Sequence, residues 1–337
     1  MKPKILYVER KPSTAVSIEK VFRQLAKCLS KNNFSIAFQQ LEFPNDALGT
    51  IKNLLFYKKT KADIYHITGH IHYIALVLPK DKTILTVHDA GILHIRSGLR
   101  RFILKKILFD LPIKKLKFIT AVSEATKREI VYYTKCHESK IKVIENPLQE
   151  HFYLTRKKFF NSRCPIILQI GTTANKNLKN LINALEGVTC RLKIIGELPE
   201  EIKSLLTEKK ITYENKSNLN NEQIKSEYAE SDIVTFCSTF EGFGLPIIEA
   251  QAMLTPVITS NISPMKEVAG DAAALADPTD YNSIRRCILQ IINDDYYREN
   301  LVKNGIVNVK KYKPETIAAL YADIYQEIIS VNAKKTI

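Results

Sequence analysis

No apolar run in this 337-residue chain approaches the roughly 18–20 residues needed to span a bilayer. The longest, such as Ile74–Leu78, are sized for one strand or a short helix of a core. The apolar stretch near the start, Ile5–Val8, is too short for a signal-peptide core, and no small-residue cleavage site follows it; a cytoplasmic location is expected. Six cysteines are present and no two stand at C-x-x-C spacing, which removes a zinc ribbon and a dithiol redox motif. Cys164, Cys190 and Cys237 sit in or beside apolar runs and read as buried free thiols. There is no repeat of 20–50 residues and no low-complexity tract, so solenoids, propellers and disordered arrays are set aside.

What is present is ordinary for a globular protein: 45% hydrophobic and 25% charged residues, with length enough for two domains. The charge of +15 is uneven. Residues 1–150 hold 27 Lys+Arg against 13 Asp+Glu, whereas residues 151–337 hold 23 against 22. Such asymmetry points to an anionic partner for the first half. Nucleic acid, anionic lipid headgroups and a phosphorylated acceptor all qualify.

Short apolar runs alternate with longer amphipathic stretches. In the first half the runs are Lys4–Val8, Ser35–Leu41, Asp63–Ile67, Thr83–Val87, Phe118–Ala121 and Lys142–Ile144, with helical stretches at Ser17–Ser30 and Ser123–Thr134. The second half repeats the pattern. Its strands are expected at Ile166–Ile170, Arg191–Ile195, Ile211–Glu214, Ile233–Phe236, Val257–Thr259 and Ala273–Leu275. Helices are expected at Asn177–Leu185, Glu200–Glu208, Asn221–Ala229, Pro246–Met253, Tyr281–Ile292, Asp294–Lys311 and Pro314–Ser330. Strands alternating with helices imply parallel sheets wrapped by helices, the α/β doubly wound class. The polar, aperiodic segment 151–163, with proline near both ends, reads as a linker. The domains are therefore expected at 1–150 and 151–313, with the last helix, 314–332, packing back on the first.

One segment carries chemistry. A buried strand, Ile233–Phe236, runs into a loop with Gly242 and Gly244, and a helix begins at Pro246. Glycines let another group approach the backbone, and the helix end offers unpaired N–H groups suited to a phosphate or hydroxyl. Glu241 and Glu249 flank this element and suit pairs of vicinal hydroxyls.

The string EGFGLPIIEA (241–250) resembles the signature of retaining GT-B glycosyltransferases of family four, also called glycosyl transferases group 1. Further blocks resemble that family: ILQIGTTANKNLKNLINAL (167–185), LKIIG (192–196), ITAVSEATKREI (119–130) and IENPL (144–148). SIEKVF (17–22), HITG (66–69) and TVHD (86–89) are similar more loosely. The resemblance implies two Rossmann-like domains facing across a cleft, with a nucleoside diphosphate sugar bound between them. It implies that Glu249 binds the ribose and Glu241 the donor-sugar hydroxyls. Backbone amides of Gly242, Phe243, Gly244 and Leu245 would meet the sugar and diphosphate, with Gly171, Thr172 and Lys176 on the other side of the donor. Lys176 matches the second of two cations that neutralise the diphosphate. The first, ordinarily an Arg, is replaced by Thr172, and Arg10 or Lys11 are candidate substitutes. The family's glycine pair after the first strand is also missing: residues 9–16 read ERKPSTAV, where Ser13 and Thr14 offer hydroxyls instead. His88 matches a histidine placed near the sugar's primary hydroxyl and the β-phosphate. His88, Lys176 and Glu241 are thus the expected catalytic residues.

No D-x-D stands at a strand end, so neither a metal nor any cofactor besides the donor substrate is demanded. His66, His70 and His72 lack a completing ligand set. The expected reaction breaks the anomeric C–O bond with retention and passes the sugar to a glycan or lipid-linked acceptor, as in cell-surface polysaccharide synthesis. A nucleotide-sugar-binding protein with weak catalysis is the alternative; nucleic-acid binding is not expected, since Glu241 and Glu249 would have no role in it. Residues 95–117 carry Arg96, Arg100, Arg101, Lys105, Lys106, Lys114, Lys115 and Lys117 against Asp110 alone, with Ile95, Leu99, Phe102, Ile103 and Ile107 at helical spacing. This reads as a basic amphipathic helix at an anionic membrane surface, on the inner face of the membrane. The other reading is a surface helix whose apolar face packs on the sheet.

Overall fold

The alternation of apolar runs and amphipathic stretches resolves into two parallel six-stranded sheets. The computed structural model describes residues 2–11, 17–153 and 159–334. Ser13 and Thr14, considered above as phosphate or acceptor contacts, lie outside the described residues. Two compact units emerge: unit 1 is Met1–Pro147 with Lys313–Ile337, and unit 2 is Leu148–Tyr312.

Unit 1 has strands β1 (Lys4–Glu9), β2 (Ser35–Gln40), β3 (Ile64–Ile67), β4 (Thr83–Val87), β5 (Phe118–Ala121) and β6 (Ile141–Val143), in the order β2-β1-β3-β4-β5-β6. β3 and β4 are buried along their whole length, as strands covered on both faces must be. The core gathers Leu6, Val8, Tyr65, Ile67, Leu85, Val87 and Ile119 with Phe109 and Ile113 from the crossover layer. The last helix, Pro314–Ala333, belongs to this unit and packs on helix Ser17–Lys31. It is fastened by a buried hydrogen-bond network. The His66 ring bonds Tyr325 Oη through Nδ1 and Thr86 Oγ1 through Nε2, both at 2.7 Å. Thr86 reaches Thr120 at 2.7 Å and Tyr321 at 3.2 Å, and Tyr325 donates to Tyr7 at 3.3 Å.

Unit 2 has β7 (Ile166–Ile170), β8 (Arg191–Ile195), β9 (Tyr213–Lys216), β10 (Ile233–Phe236), β11 (Val257–Ser260) and β12 (Ala274–Ala276), in the order β12-β11-β10-β7-β8-β9. The chain leaves β7 in one direction and resumes at β10 on its other side. The carboxyl ends of β7 and β10 therefore flank the switch point, where doubly wound sheets bind ligands.

Some elements differ from expectation. β9 starts two residues later than expected because it is an edge strand: Glu214, Asn215 and Lys216 are exposed, so burial leaves no alternation to read. A helix at Ala47–Phe56, capped by Asp46, was not anticipated. The basic stretch 95–117 is not one helix but short pieces: Gly91–Ile95, Gly98–Lys105, a wider π-type turn Lys106–Asp110 and Leu111–Lys115. Cys164 is half-buried rather than buried; all six cysteines are free thiols.

Candidate functional site

The loops after β7 and β10 are laced together at the switch point. Gly171 closes β7 with φ of 87°, and a Cβ there would stand 2.9 Å from Lys176 Cγ. Only glycine accommodates both the left-handed turn and the lysine stem folded over it. Lys176 ends a 3-10 turn, Ala174–Lys176, and its Nζ donates to Glu241 Oε1 at 2.5 Å. The two side chains are only 20% and 15% exposed, so solvent screens this pair weakly. Lys176 Nζ also lies 4.6 Å from the centre of the Phe236 ring. Asn175 completes the join: its Nδ2 donates to the Phe240 carbonyl at 3.0 Å and to Glu241 Oε1 at 3.3 Å. Behind them, Gln169 donates to the carbonyls of Gly171 and Lys176, and Thr235 donates to Gln169 Oε1.

The β10 loop ends at Gly244, φ 112°, where helix Leu245–Ala252 starts with Pro246 in its first turn and no side-chain cap. No N-cap side chain serves its leading N–H groups, of which Pro246 has none and that of Ile247 donates to the Gly244 carbonyl at 3.0 Å. Glu249 lies in this helix, and its Oε2 accepts a hydrogen bond from Tyr228 Oη at 2.7 Å. Tyr228 is fully buried on helix Asn221–Glu230 and is braced edge-on by Phe152. Burial, then the Glu249 charge, pushes the Tyr228 phenol well above its ordinary range, which keeps it a proton donor toward that carboxylate.

Gly171, Lys176 and Glu241 are thus brought into one cluster. Phe243 offers only its backbone, because its side chain is buried edge-on against Tyr312. The Thr172 hydroxyl donates to the Glu197 carbonyl at 2.6 Å and is not presented as a free phosphate donor. Arg10, one candidate for the missing cation, is paired with Glu19 at 2.7 Å, both largely buried. Its charge is already compensated. Tyr228 and Asn175 were missed in the sequence. Nothing local distinguishes a tyrosine in an amphipathic helix from core filling; only the fold brings it against Glu249.

His88 belongs to unit 1, at the carboxyl end of β4. It is buried, its Nε2 bonds the Thr68 carbonyl at 2.9 Å, and its ring lies 6.1 Å from that of His70. Burial, then the proximity of His70, pushes its pKa down to about 4, so the imidazole is neutral at pH 7. With Nε2–H facing a carbonyl, Nδ1 carries the lone pair. His70 binds Asp89 at 3.0 Å. Asp89 is held below the ordinary carboxylate range: its burial opposes this, and the His70 hydrogen bond and charge outweigh it. His66 is consumed by its network, and the His72 Nδ1 bonds the Leu108 carbonyl at 2.8 Å. Among the described residues no group of three or more metal-capable side chains gathers.

Two doubly wound parallel sheets, one carrying a Gly–Lys–Glu cluster at its switch point, define the GT-B class. The model for glycosyl transferases group 1 matches residues 154–307, and that for glycosyltransferase family 4 matches residues 19–151. The chain belongs to this family of GT-B glycosyltransferases. It is 37% identical over 99 residues to O-antigen chain mannosyltransferase B of Escherichia coli, covering 29% of this chain and 26% of that protein. It is 26% identical over 217 residues to O-antigen chain mannosyltransferase RfbU of Salmonella typhimurium, covering 61% and 60%. The chain thus spans less than two thirds of the length of these curated relatives. Its fold is similar to that of Anabaena HepE, solved in complex with UDP and glucose, with a TM-score of 0.77 at 15% identity over 96% of this chain and 100% of that one.

Proposed function

We propose that the protein is a retaining glycosyltransferase that moves a hexose from a nucleoside diphosphate sugar to a glycan or lipid-linked acceptor in cell-surface polysaccharide synthesis. The observation that carries this is the Lys176–Glu241 pair at the β7/β10 switch point, beside an uncapped helix start. A cation and a sugar-binding carboxylate in contact are a donor seat closed on itself. An entering diphosphate competes for Lys176 and releases Glu241 to the sugar hydroxyls. As the anomeric C–O bond breaks, charge grows on the departing β-phosphate oxygen. Lys176 and the helix N–H groups stabilise that charge more in the transition state than in the ground state. Glu249, held by Tyr228, receives the ribose hydroxyls. His88 is neutral and acts as a hydrogen-bonding partner of the donor sugar rather than as a fixed cation. The names of the similar proteins support a mannose or glucose donor and an O-antigen-type acceptor.

A thermal-shift screen of nucleotide sugars, headed by a nucleoside diphosphate mannose and UDP-glucose, tests the reading. A donor at 100 times its Kd stabilises by about 2.7 kcal/mol, and Glu249→Ala is expected to abolish most of that shift. No shift with any nucleotide sugar overturns the assignment.

The second reading, a donor-binding protein with weak catalysis, is favoured by Thr172, which stands at the position of a diphosphate-binding Arg with its hydroxyl already engaged. Transfer and donor hydrolysis measured beside binding separate the two: binding with turnover no faster than the uncatalysed reaction supports this reading.

A further inference from the structure

One layer of unit 1 turns apolar side chains outward at two places. The first is helix Ala47–Phe56, whose amphipathicity is inverted. Its buried residues are Gly49 and Asn53. Asn53 accepts from the Phe43 N–H at 3.2 Å and donates to the Phe43 carbonyl at 3.2 Å and to Tyr73 Oη at 3.1 Å. Gly49 approaches the preceding loop so closely that a Cβ would stand 2.0 Å from the Pro44 carbonyl oxygen. Leu48, Ile51 and Leu55, at i, i+3 and i+7, form one stripe on the outer side, with Phe56 beside them; they are 62%, 54%, 71% and 61% exposed. A polar anchor, a glycine and the single partly buried Leu54 hold this helix, where a broad apolar face would ordinarily do so.

The second place is helix Gly98–Lys105, which buries none of its residues. Leu99, Phe102 and Ile103 are 74%, 63% and 46% exposed. Arg96, Arg100 and Lys106 stand exposed along the same segment, with no carboxylate at ion-pair distance among the described residues. Both helices lie in one layer. The crossovers from β2 to β3 and from β4 to β5 advance in the same direction along the sheet, so right-handed connection puts them on one face. Helix Ala47–Phe56 packs on the turn His72–Leu76, which packs on Lys106–Asp110, the continuation of Gly98–Lys105.

We propose that this layer is a monotopic docking surface for an anionic lipid bilayer. The two apolar stripes enter the headgroup–acyl boundary and the surrounding Lys and Arg residues meet lipid phosphates. Charge complementarity selects the occupant. Unit 1 carries 30 Lys+Arg against 15 Asp+Glu, and unit 2 carries 20 against 20, so the whole basic excess sits in the unit that bears the stripes. A second copy on the same face would bring like charge against like. The surface does not depend on the sugar-transfer reading, and its test is read without catalysis.

Flotation of the full chain with vesicles of phosphatidylglycerol and phosphatidylethanolamine, beside vesicles of phosphatidylcholine alone, at about physiological salt, tests the proposal. Binding to the anionic vesicles only is expected. L55S with F102S, and separately R100E with K106E, are each expected to lower the bound fraction at least about tenfold. These positions are exposed, and an unchanged melting temperature shows that the variants fold. No binding, equal binding to both vesicle types, or full binding by both variants overturns the proposal. So does a dimer in sedimentation that L55S with F102S dissociates, because a second copy would then be the occupant.

Discussion

Unit 1 and unit 2 each hold a six-stranded parallel sheet, and one buried polar network in each differs in kind from that in the other. Unit 1 buries a neutral network of His66, Thr86, Thr120, Tyr321, Tyr325 and Tyr7 between its sheet and the last helix. Unit 2 buries an ionic one. Lys193, 7% exposed on β8, donates to Glu227 at 2.8 Å and to Glu230 at 2.6 Å, and Lys216 reaches the other Glu227 oxygen at 2.6 Å. The contrast extends to the surface, where unit 1 holds all the net charge and unit 2 is balanced. The same architecture therefore tolerates either solution, and each leaves its own dependence on pH and mutation.

The sharpest test concerns the charged seat of unit 2. Lys176→Ala is expected to lower kcat/KM for sugar transfer by about 10²–10³-fold, the usual cost of losing one transition-state donor. Turnover within a few fold of the parent would show that another group carries the diphosphate charge. Next comes the ionic network. Lys193→Met leaves Glu227 with Lys216 alone and the half-exposed Glu230 without its lysine, and is expected to destabilise by about 1–2 kcal/mol, measured by denaturant unfolding. A neutral outcome would make the network dispensable, and the contrast with unit 1 would lose its energetic content.

Acid separates the units more gradually. Burial pushes His66 and His72 down to about 3 and His88 down to about 4. In the unfolded chain these rings take up protons from about pH 6.5 downward, whereas the folded chain does not until pH 3–4. Their contribution is intact above the unfolded value and is lost as pH falls through that window. The loss approaches about 1.4 kcal/mol per pH unit for each ring. All three lie in unit 1. In unit 2 the Lys193 and Ser226 hydrogen bonds hold Glu230 below the ordinary carboxylate range, so its contribution is lost only at still lower pH. Hydrogen exchange at pH 5 against pH 7 is expected to show protection falling in unit 1 first. Equal loss in both units would remove the distinction. The smallest effect is at Tyr228. Tyr228→Phe removes one hydrogen bond to Glu249 and is expected to raise KM for the donor about 3–10-fold with kcat little changed. It should also reduce discrimination between ribose and 2′-deoxyribose nucleotides. Unchanged KM would make Tyr228 core filling only.

Much of the fold was legible because parallel strands buried on both faces read as apolar runs: Ile233–Phe236 and Thr83–Val87 fall where they were expected. Legibility failed where burial left no pattern. β9 is an exposed edge, and helix Ala47–Phe56 turns its apolar stripe outward while Asn53, Gly49 and the partly buried Leu54 hold it inward. The stretch 95–117 promised one amphipathic helix and delivered several pieces, broken around Ser97–Gly98 and by the π-type turn ahead of Pro112. Of the site, Glu241 and Glu249 were nameable from the glycine loop and helix start between them, and Gly171 and Lys176 from the resemblance to the family; their partners were not.

By itself the sequence determined the class of fold, the alternation of strand and helix, and the glycine-hinged segment with its two glutamates. These rest on local periodicity and backbone freedom, which neighbouring residues specify. Only the tertiary structure decided that Lys176 and Glu241, 65 residues apart, close on each other, that Tyr228 holds Glu249, and that two apolar stripes of unit 1 face outward. Each of these depends on which strand lies beside which and which face of a helix meets the sheet. Pairing and facing are set by the packing of the whole unit, so no window of sequence contains them.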